Sequence, residues 1–424
     1  MDPPTCGIWE EAKRTAVALK RKGYQMFVQP VGTTSYSDEE LLGLIRDVNA
    51  LQPYAFYLVD TLGILYRHDL LRLFYLIDHN LDWHIKVGFH SHNNLQLSFA
   101  NAQELLRLHT KRELIIDTSV YGMGRGVGNL ATELLAEYIN ANIEQRYQIT
   151  PLLTIADQYL LSIYSEQRWG YALPYFLSAA AQCHPNYAMY LAKKETLTIA
   201  AISKVLSLLP ADKKDLYHPE LIDQLYSDLQ NCEIDDREAM KELSTVIHAK
   251  RILVMAPGAT LQIYEQQVQE FIEKEKPLVV SINFIPKQFK SDVLFISNRK
   301  RLDILQREIA LHPYVIATSN LMDTLDNDVK YVNYSSCLGE GASADNAGAM
   351  LIRILSKIGV DSLALAGFDG FDVDSAKNYS VGSFQNLLER KTVNQKNADI
   401  ARQLKLALGD LPYHLITPTR YELS

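Results

Sequence analysis

Short apolar runs alternate with amphipathic stretches along the first 145 residues. The spacing predicts a helix from about Ile8 to Lys22, stopped at Gly23, then a strand over Tyr24–Val31. Ser37-Asp38-Glu39-Glu40 opens a helix that runs to about Ala50, with acids in the first turn where they complement the helix dipole. Ala55-Phe56-Tyr57-Leu58-Val59 is a continuous apolar run closed by Asp60, the pattern of a strand covered on both faces. A helix over Arg67–His79, a strand over Ile85–Phe89 and a helix over Leu95–Leu108 follow. A strand led by Leu114-Ile115-Ile116 comes next, and a last helix opens near Asn129. Four β-α repeats in succession predict a parallel sheet with helical crossovers.

The texture then changes. Residues 146–245 keep helical periodicity, carry six tyrosines between Tyr159 and Tyr190 and show no strand pattern, which makes them a helical connector. From Arg251 the β-α rhythm resumes. Ile252–Met255, Leu278–Ile282, Val293–Ile296, Val315–Thr318, Leu363–Ala366 and Tyr413–Thr417 read as strands, and Ala344–Ile358 as a helix capped by Asp345. Residues 246–424 are therefore expected to form a doubly wound, Rossmann-like α/β domain.

Composition narrows the class. Of 424 residues, 47% are hydrophobic and 22% charged, as in ordinary globular proteins, which excludes a disordered or low-complexity chain. A net charge of −8 argues against a phosphate-backbone partner, so nucleic acid is not expected. Cys6, Cys183, Cys232 and Cys337 are widely separated, which reads as thiols rather than a disulfide framework or zinc site. No window is long and apolar enough to span a membrane, and the first residues lack the basic and apolar regions of a signal peptide. A cytoplasmic protein is the expectation.

The chemistry concentrates in Gly88-Phe89-His90-Ser91-His92-Asn93-Asn94. Side chains repeat every two residues along a strand, so His90 and His92 leave the strand end on one side and are able to converge on one divalent ion. The next strand is closed by Asp117-Thr118-Ser119 and then by Gly122-Met123-Gly124-Arg125-Gly126-Val127-Gly128-Asn129. Four glycines there permit positive φ and close approach of a ligand. Arg125 is a candidate anchor for a carboxylate or enolate oxygen, and Asn129 a candidate amide ligand. Asp60, at the end of the preceding strand, is either a support for a ligating histidine or a turn residue. In the connector, Tyr171 and His184 are weaker acid/base candidates.

Taken together, Asp60-x-x-Gly63, His90-x-His92-Asn93-Asn94, Ala100-Asn101 and the Gly-Met-Gly-Arg-Gly-x-Gly-Asn run resemble the later half of a barrel domain. It is the domain shared by 4-hydroxy-2-oxovalerate aldolase, 3-hydroxy-3-methylglutaryl-CoA lyase and isopropylmalate synthase, the pyruvate-carboxyltransferase superfamily. The resemblance covers about a third of the chain and implies strands five to eight of a (β/α)8 TIM barrel over residues 1–145. It also implies a lyase of aldolase type, forming pyruvate from a small 2-oxo acid, with Mn or Mg held by His90 and His92 and with Asn129 as a further ligand; Arg125, from the glycine loop, and Tyr171, from the connector, are the candidate catalytic residues. A homo-oligomer stays open.

The family begins its barrel with a D-x-x-R-D-G strand, which this sequence does not contain. The expectation is an N-terminally truncated barrel with impaired activity, since a closed barrel needs every strand. The turn Ala256-Pro257-Gly258-Ala259-Thr260 resembles the first turn of a nucleotide-binding domain, which makes Gly258 and Thr260 candidate phosphate contacts and a nucleotide a candidate ligand. A faint likeness of Asp345–Asp369 to sialyltransferase and motility-accessory glycosyltransferase domains gives the alternative: a nucleotide-sugar-binding protein of polysaccharide synthesis that keeps a non-catalytic barrel remnant.

Overall fold

The computed structural model describes residues 6–324, 329–374, 377–379 and 390–423. Its architecture is α/β with parallel sheets. Contacts divide it into two units, Met1–Tyr190 with Leu206–Pro219, and Leu191–Val205 with Glu220–Ser424. The segment 146–245 is helical among the described residues, and the two units share it.

In the first unit four strands, β1 (Phe27–Val28), β2 (Ala55–Asp60), β3 (Lys86–Ser91) and β4 (Leu114–Ile116), lie in chain order, all parallel. Helices α1 (Cys6–Arg21), α2 (Asp38–Leu51), α3 (Arg67–Asn80), α4 (Ser98–Arg107) and α5 (Thr132–Asn142) complete the repeats. The strand expected over Tyr24–Val31 shrinks to two residues. Tyr24, Phe27 and Val31 are exposed, so little apolar burial is available to extend it. The fourth crossover helix starts at Thr132, not near Asn129, because residues 120–131 are spent on the glycine loop.

Alternation along β2 and β3 sorts the two faces. Phe56, Leu58, Val87 and Phe89 pack under α2, α3 and α4 with Leu41, Ile45, Leu73 and Leu105. Ala55, Tyr57 and Val59 point the other way, beside Ile115. Ser37 forms a capping box with Glu40 at the start of α2. Arg112 ties the lower ends of the repeats. Its guanidinium, 7% exposed, meets the Asp78 carboxylate and donates to the carbonyls of Asp78, Leu81, Asp82 and Ile85.

The second unit is built on β5 (Arg251–Met255), β6 (Leu278–Ile282), β7 (Val293–Ile296), β8 (Val315–Thr318), β9 (Lys330–Val332), β10 (Ser362–Ala366) and β11 (Tyr413–Leu415). Their order is β11-β10-β5-β6-β7-β8-β9, all parallel. β9 escaped the sequence pattern because three residues with one buried side chain carry almost no periodicity. Helices Arg237–Ile247, Ala347–Ile358 and Arg390–Leu408 cover one face. Residues of Glu265–Glu275 and Arg299–Ile309 pack on the other. Asn346, not Asp345, caps Ala347–Ile358 through the Ala349 N–H, while Asp345 accepts the Tyr226 hydroxyl at 2.6 Å. The chain builds outward from β5 to β9, then returns to β10 on the other side of β5. The crevice between the tips of β5 and β10 is therefore the point where strand order reverses.

Candidate active site

The tip of β3 carries the histidines. Their rings lie 5.4 Å apart and nearly perpendicular. His90 Nδ1 stands 3.1 Å from Asp117 Oδ2, and Tyr57 donates its hydroxyl to the other oxygen of the same carboxylate at 3.0 Å. Register explains the meeting. Tyr57, Gly88 and Ile115 sit side by side on one face, and His90 and Asp117 lie two residues beyond Gly88 and Ile115. Gly88 is needed because a Cβ there would fall inside the Tyr57 ring. Burial, and then the Asp117 charge, raise the Tyr57 phenol, so it stays a donor.

His92 is held from the other side. Its N–H bonds the Asp60 carbonyl at 3.2 Å, and its residue bridges Asn129 as an isolated antiparallel pair. Burial, and then His90, lower its pKa, against an opposing interaction with the Gly128 backbone. Asn129 donates through Nδ2 to the Met123 carbonyl at 3.0 Å, and its Oδ1 is buried without a partner. A buried amide oxygen without a partner, on the residue bridged to His92, is an acceptor in want of a cation or a proton.

Several motif residues turn out to build the frame. The Asp60 carboxylate, 2% exposed, does not reach a histidine. It accepts the N–H groups of Ile64 and Leu65 at 3.0 and 3.1 Å, so of its two readings the turn is the one found, and burial lifts it to about 6. Gly63, at φ 61°, lets this turn lie against Asn94 and the His92 carbonyl, where a Cβ would collide. Asn93 accepts the Ser98 N–H and hydroxyl at the start of α4, and Asn101 donates to the Leu65 carbonyl at 2.7 Å. Sequence reasoning missed Tyr57 and gave Asp117 no part. The usable signal was Gly88 two residues before His90, a gap on the histidine face that some ring had to fill.

Arg125 is exposed on the glycine loop. Its charge, after burial, helps lower the pKa of His184, so the two stand near each other. Tyr171 is exposed as well. The chain beside it docks on the loop: Gly170 N bonds the Gly126 carbonyl at 3.0 Å, and Trp169 Nε1 donates to the Tyr121 carbonyl at 2.9 Å. Tyr121, Tyr164 and Trp169 pack edge to face and wall a cavity of about 210 Å³ that Asn129 also lines.

Residues 7–158 match the HMGL-like family model. This segment is an HMGL-like domain. Over 100 residues the chain is 33% identical to the 4-hydroxy-2-oxovalerate aldolase of Chloroflexus aggregans, covering 23% of this chain and 28% of that protein. Over 84 residues it is 36% identical to the enzyme so named from Roseiflexus sp., covering 20% and 23%. The chain thus spans less than a third of the length of these curated relatives. Among solved structures, it is similar to the N-terminal domain of a putative aldolase from Bacteroides vulgatus (25% identity, TM-score 0.41, 46% of this chain and 62% of that one). It is also similar to hydroxymethylglutaryl-CoA lyase from Pseudomonas aeruginosa (17% identity, TM-score 0.32, 36% and 54%).

Within the HMGL-like domain the donor types suit a divalent ion. Two imidazoles 5.4 Å apart, one of them held by Asp117, share the strand tip, and Asn129, bridged to His92, carries an orphaned amide oxygen. No group of three or more His, Cys, Asp or Glu side chains placed to hold a metal occurs among the described residues. The set would therefore consist of His90, His92 and Asn129.

In the second unit, the turn at Gly258 and Thr260 does not offer the free donors expected of a phosphate site. The Asp369 carboxylate takes both the Thr260 N–H, at 2.8 Å, and the Thr260 hydroxyl. A Cβ on Gly258 would strike the same carboxylate and the Gly367 carbonyl. The protein's own anion stands where the phosphate of a nucleotide was expected.

Proposed function

We propose that the HMGL-like domain carries metal-assisted aldol chemistry on a 2-oxo acid, releasing pyruvate from a 4-hydroxy-2-oxo acid. The observation that supports it is the pair of rings at one strand tip, His90 held by Asp117 and His92 bridged to Asn129, whose side-chain oxygen has no partner. His90, His92 and Asn129 would hold Mn or Mg, which when bound acts as a Lewis acid toward the 2-oxo group. In the retro-aldol direction the 4-hydroxyl loses its proton and the C3–C4 bond breaks. An aldehyde leaves, and the electron pair passes to the 2-oxo oxygen as an enolate that is protonated at C3.

The chain's own residues do the rest. Tyr57 and His90 share the Asp117 carboxylate, which holds the Nδ1 proton on His90 and leaves Nε2 as the ligating atom. Arg125 is the candidate anchor for the substrate carboxylate. Tyr171, one residue from the Gly170–Gly126 bond, is the candidate acid/base group.

The test is pyruvate release from 4-hydroxy-2-oxovalerate with Mn present, paired with direct Mn titration. The reading expects activity in the wild-type chain and loss of both signals in His90→Ala. Undiminished turnover in that variant sinks the reading.

A further inference from the structure

The three rings at the glycine loop have no part in the aldol reading. Tyr121 stands on the loop, and Tyr164 and Trp169 come from the helical segment after it, all within the first unit. His90 and His92 do not line their cavity, and of the donors proposed for the metal only Asn129 does.

The rings are mutually close to perpendicular. Tyr121 lies 5.5 Å from Tyr164 at 72° and 5.8 Å from Trp169 at 77°, and Tyr164 lies 4.9 Å from Trp169 at 82°. Three rings that line one cavity at right angles bound a corner. With these spacings the point that faces all three lies about 4 Å from each centroid, inside the ~6 Å over which a ring's negative face attracts a cation. Lys86 Nζ stands 4.2 Å from the Tyr54 ring elsewhere in the same unit.

The corner is fixed by its own backbone. Tyr121 adopts left-handed φ 57° and ψ 22°, a costly conformation that persists only where the surroundings impose it. Its N–H goes to the Glu133 carboxylate at 3.0 Å, and its carbonyl takes Trp169 Nε1 at 2.9 Å. The Gly170 N–H, bonded to the Gly126 carbonyl, ties the segment to the loop once more. Two walls are thus set before a ligand arrives, which leaves little to be ordered on binding.

No lysine or arginine lines the cavity. The charge bonded to the corner is the Glu133 carboxylate, and the chain carries a net −8, which draws cations rather than anions. Tyr121 is exposed, so the corner is open to solvent. Ring faces satisfy no N–H donors. A methylated ammonium, which has none, therefore suits them better than a strongly hydrated primary one.

We infer that Tyr121, Tyr164 and Trp169 form a cage for a quaternary ammonium group, carried by a free small molecule or by a methylated lysine side chain.

Calorimetric titration of the full chain, at fixed ionic strength and without Mn, tests it. The probes are choline, the N-acetyl amide of trimethyl-lysine, and 3,3-dimethylbutan-1-ol, the uncharged carbon isostere of choline. Choline or the lysine derivative is expected to bind saturably, and the tighter of the two tells which source the cage serves. The isostere has the shape without the charge and binds at least about tenfold more weakly. Tyr164→Leu lowers affinity about tenfold, while Tyr164→Phe, which keeps the ring, stays within about twofold of wild type. Trp169→Leu takes its place if Tyr164→Leu does not fold. The inference is overturned if neither ammonium compound binds, if the isostere matches them, or if a folded leucine variant binds like wild type. Since the titration needs neither metal nor 2-oxo acid, none of these outcomes bears on the aldol reading.

Discussion

Asp117 Oδ2 lies 3.1 Å from His90 Nδ1 while its other oxygen receives the Tyr57 hydroxyl. One carboxylate thus fixes the tautomer and the direction of the imidazole proposed to ligate. Replacing Asp117 by Ala should weaken Mn binding by about 10–100-fold, the usual effect of losing such a support. Titration followed by Mn electron paramagnetic resonance would show it. Unchanged affinity would remove Asp117 from the site.

Gly88 leaves the gap that the Tyr57 ring occupies. In Gly88→Ala the ring must move, taking its hydroxyl away from Asp117. Overpacking of this kind costs about 1–3 kcal/mol. Urea unfolding should report that loss, and Gly88→Ala should cost less in a Tyr57→Ala background, where no ring stands in the way.

The buried Asp60 carboxyl, lifted to about 6 from 3.8, binds its proton more tightly in the folded state than in the unfolded one. Folding stability from this group is therefore greatest below pH 4 and falls as pH rises from about 4 to 6. At 1.36 kcal/mol per pKa unit the total is about 3 kcal/mol. Unfolding free energies across that window should show a downward slope that Asp60→Asn flattens.

Arg112 spends its fork on one carboxylate and four carbonyls inside the first unit. Lysine keeps the charge but lacks the planar set of donors. Arg112→Lys should lower unfolding free energy by about 1–3 kcal/mol, since several partly buried carbonyls lose their donors while the charge stays. A loss below 1 kcal/mol would show that water or rearrangement replaces the fork.

Much of this was legible along the chain. The runs at Ala55–Val59, Ile85–Phe89 and Leu278–Ile282 are apolar enough to be strands wherever they land, because a strand covered on both faces needs no alternation. The His90-x-His92 spacing put both rings on one side of β3 for the same local reason. What lay outside one strand did not show. Asp60 and Asp117 look alike in sequence, each an acid closing an apolar strand. Yet Asp60 turns back onto its own loop, while Asp117 reaches the neighbouring strand's histidine.

Local pattern fixed which residues form elements and which side of an element each faces, because propensity and periodicity act over a few residues. Tertiary structure alone decided the partners. It joined Tyr57, His90 and Asp117 across three strands, gave the Thr260 donors to Asp369 over 109 positions, and paired Lys396 with Glu195 in the second unit. Those pairings depend on strand order and register, which long-range packing selects and no short stretch of sequence encodes.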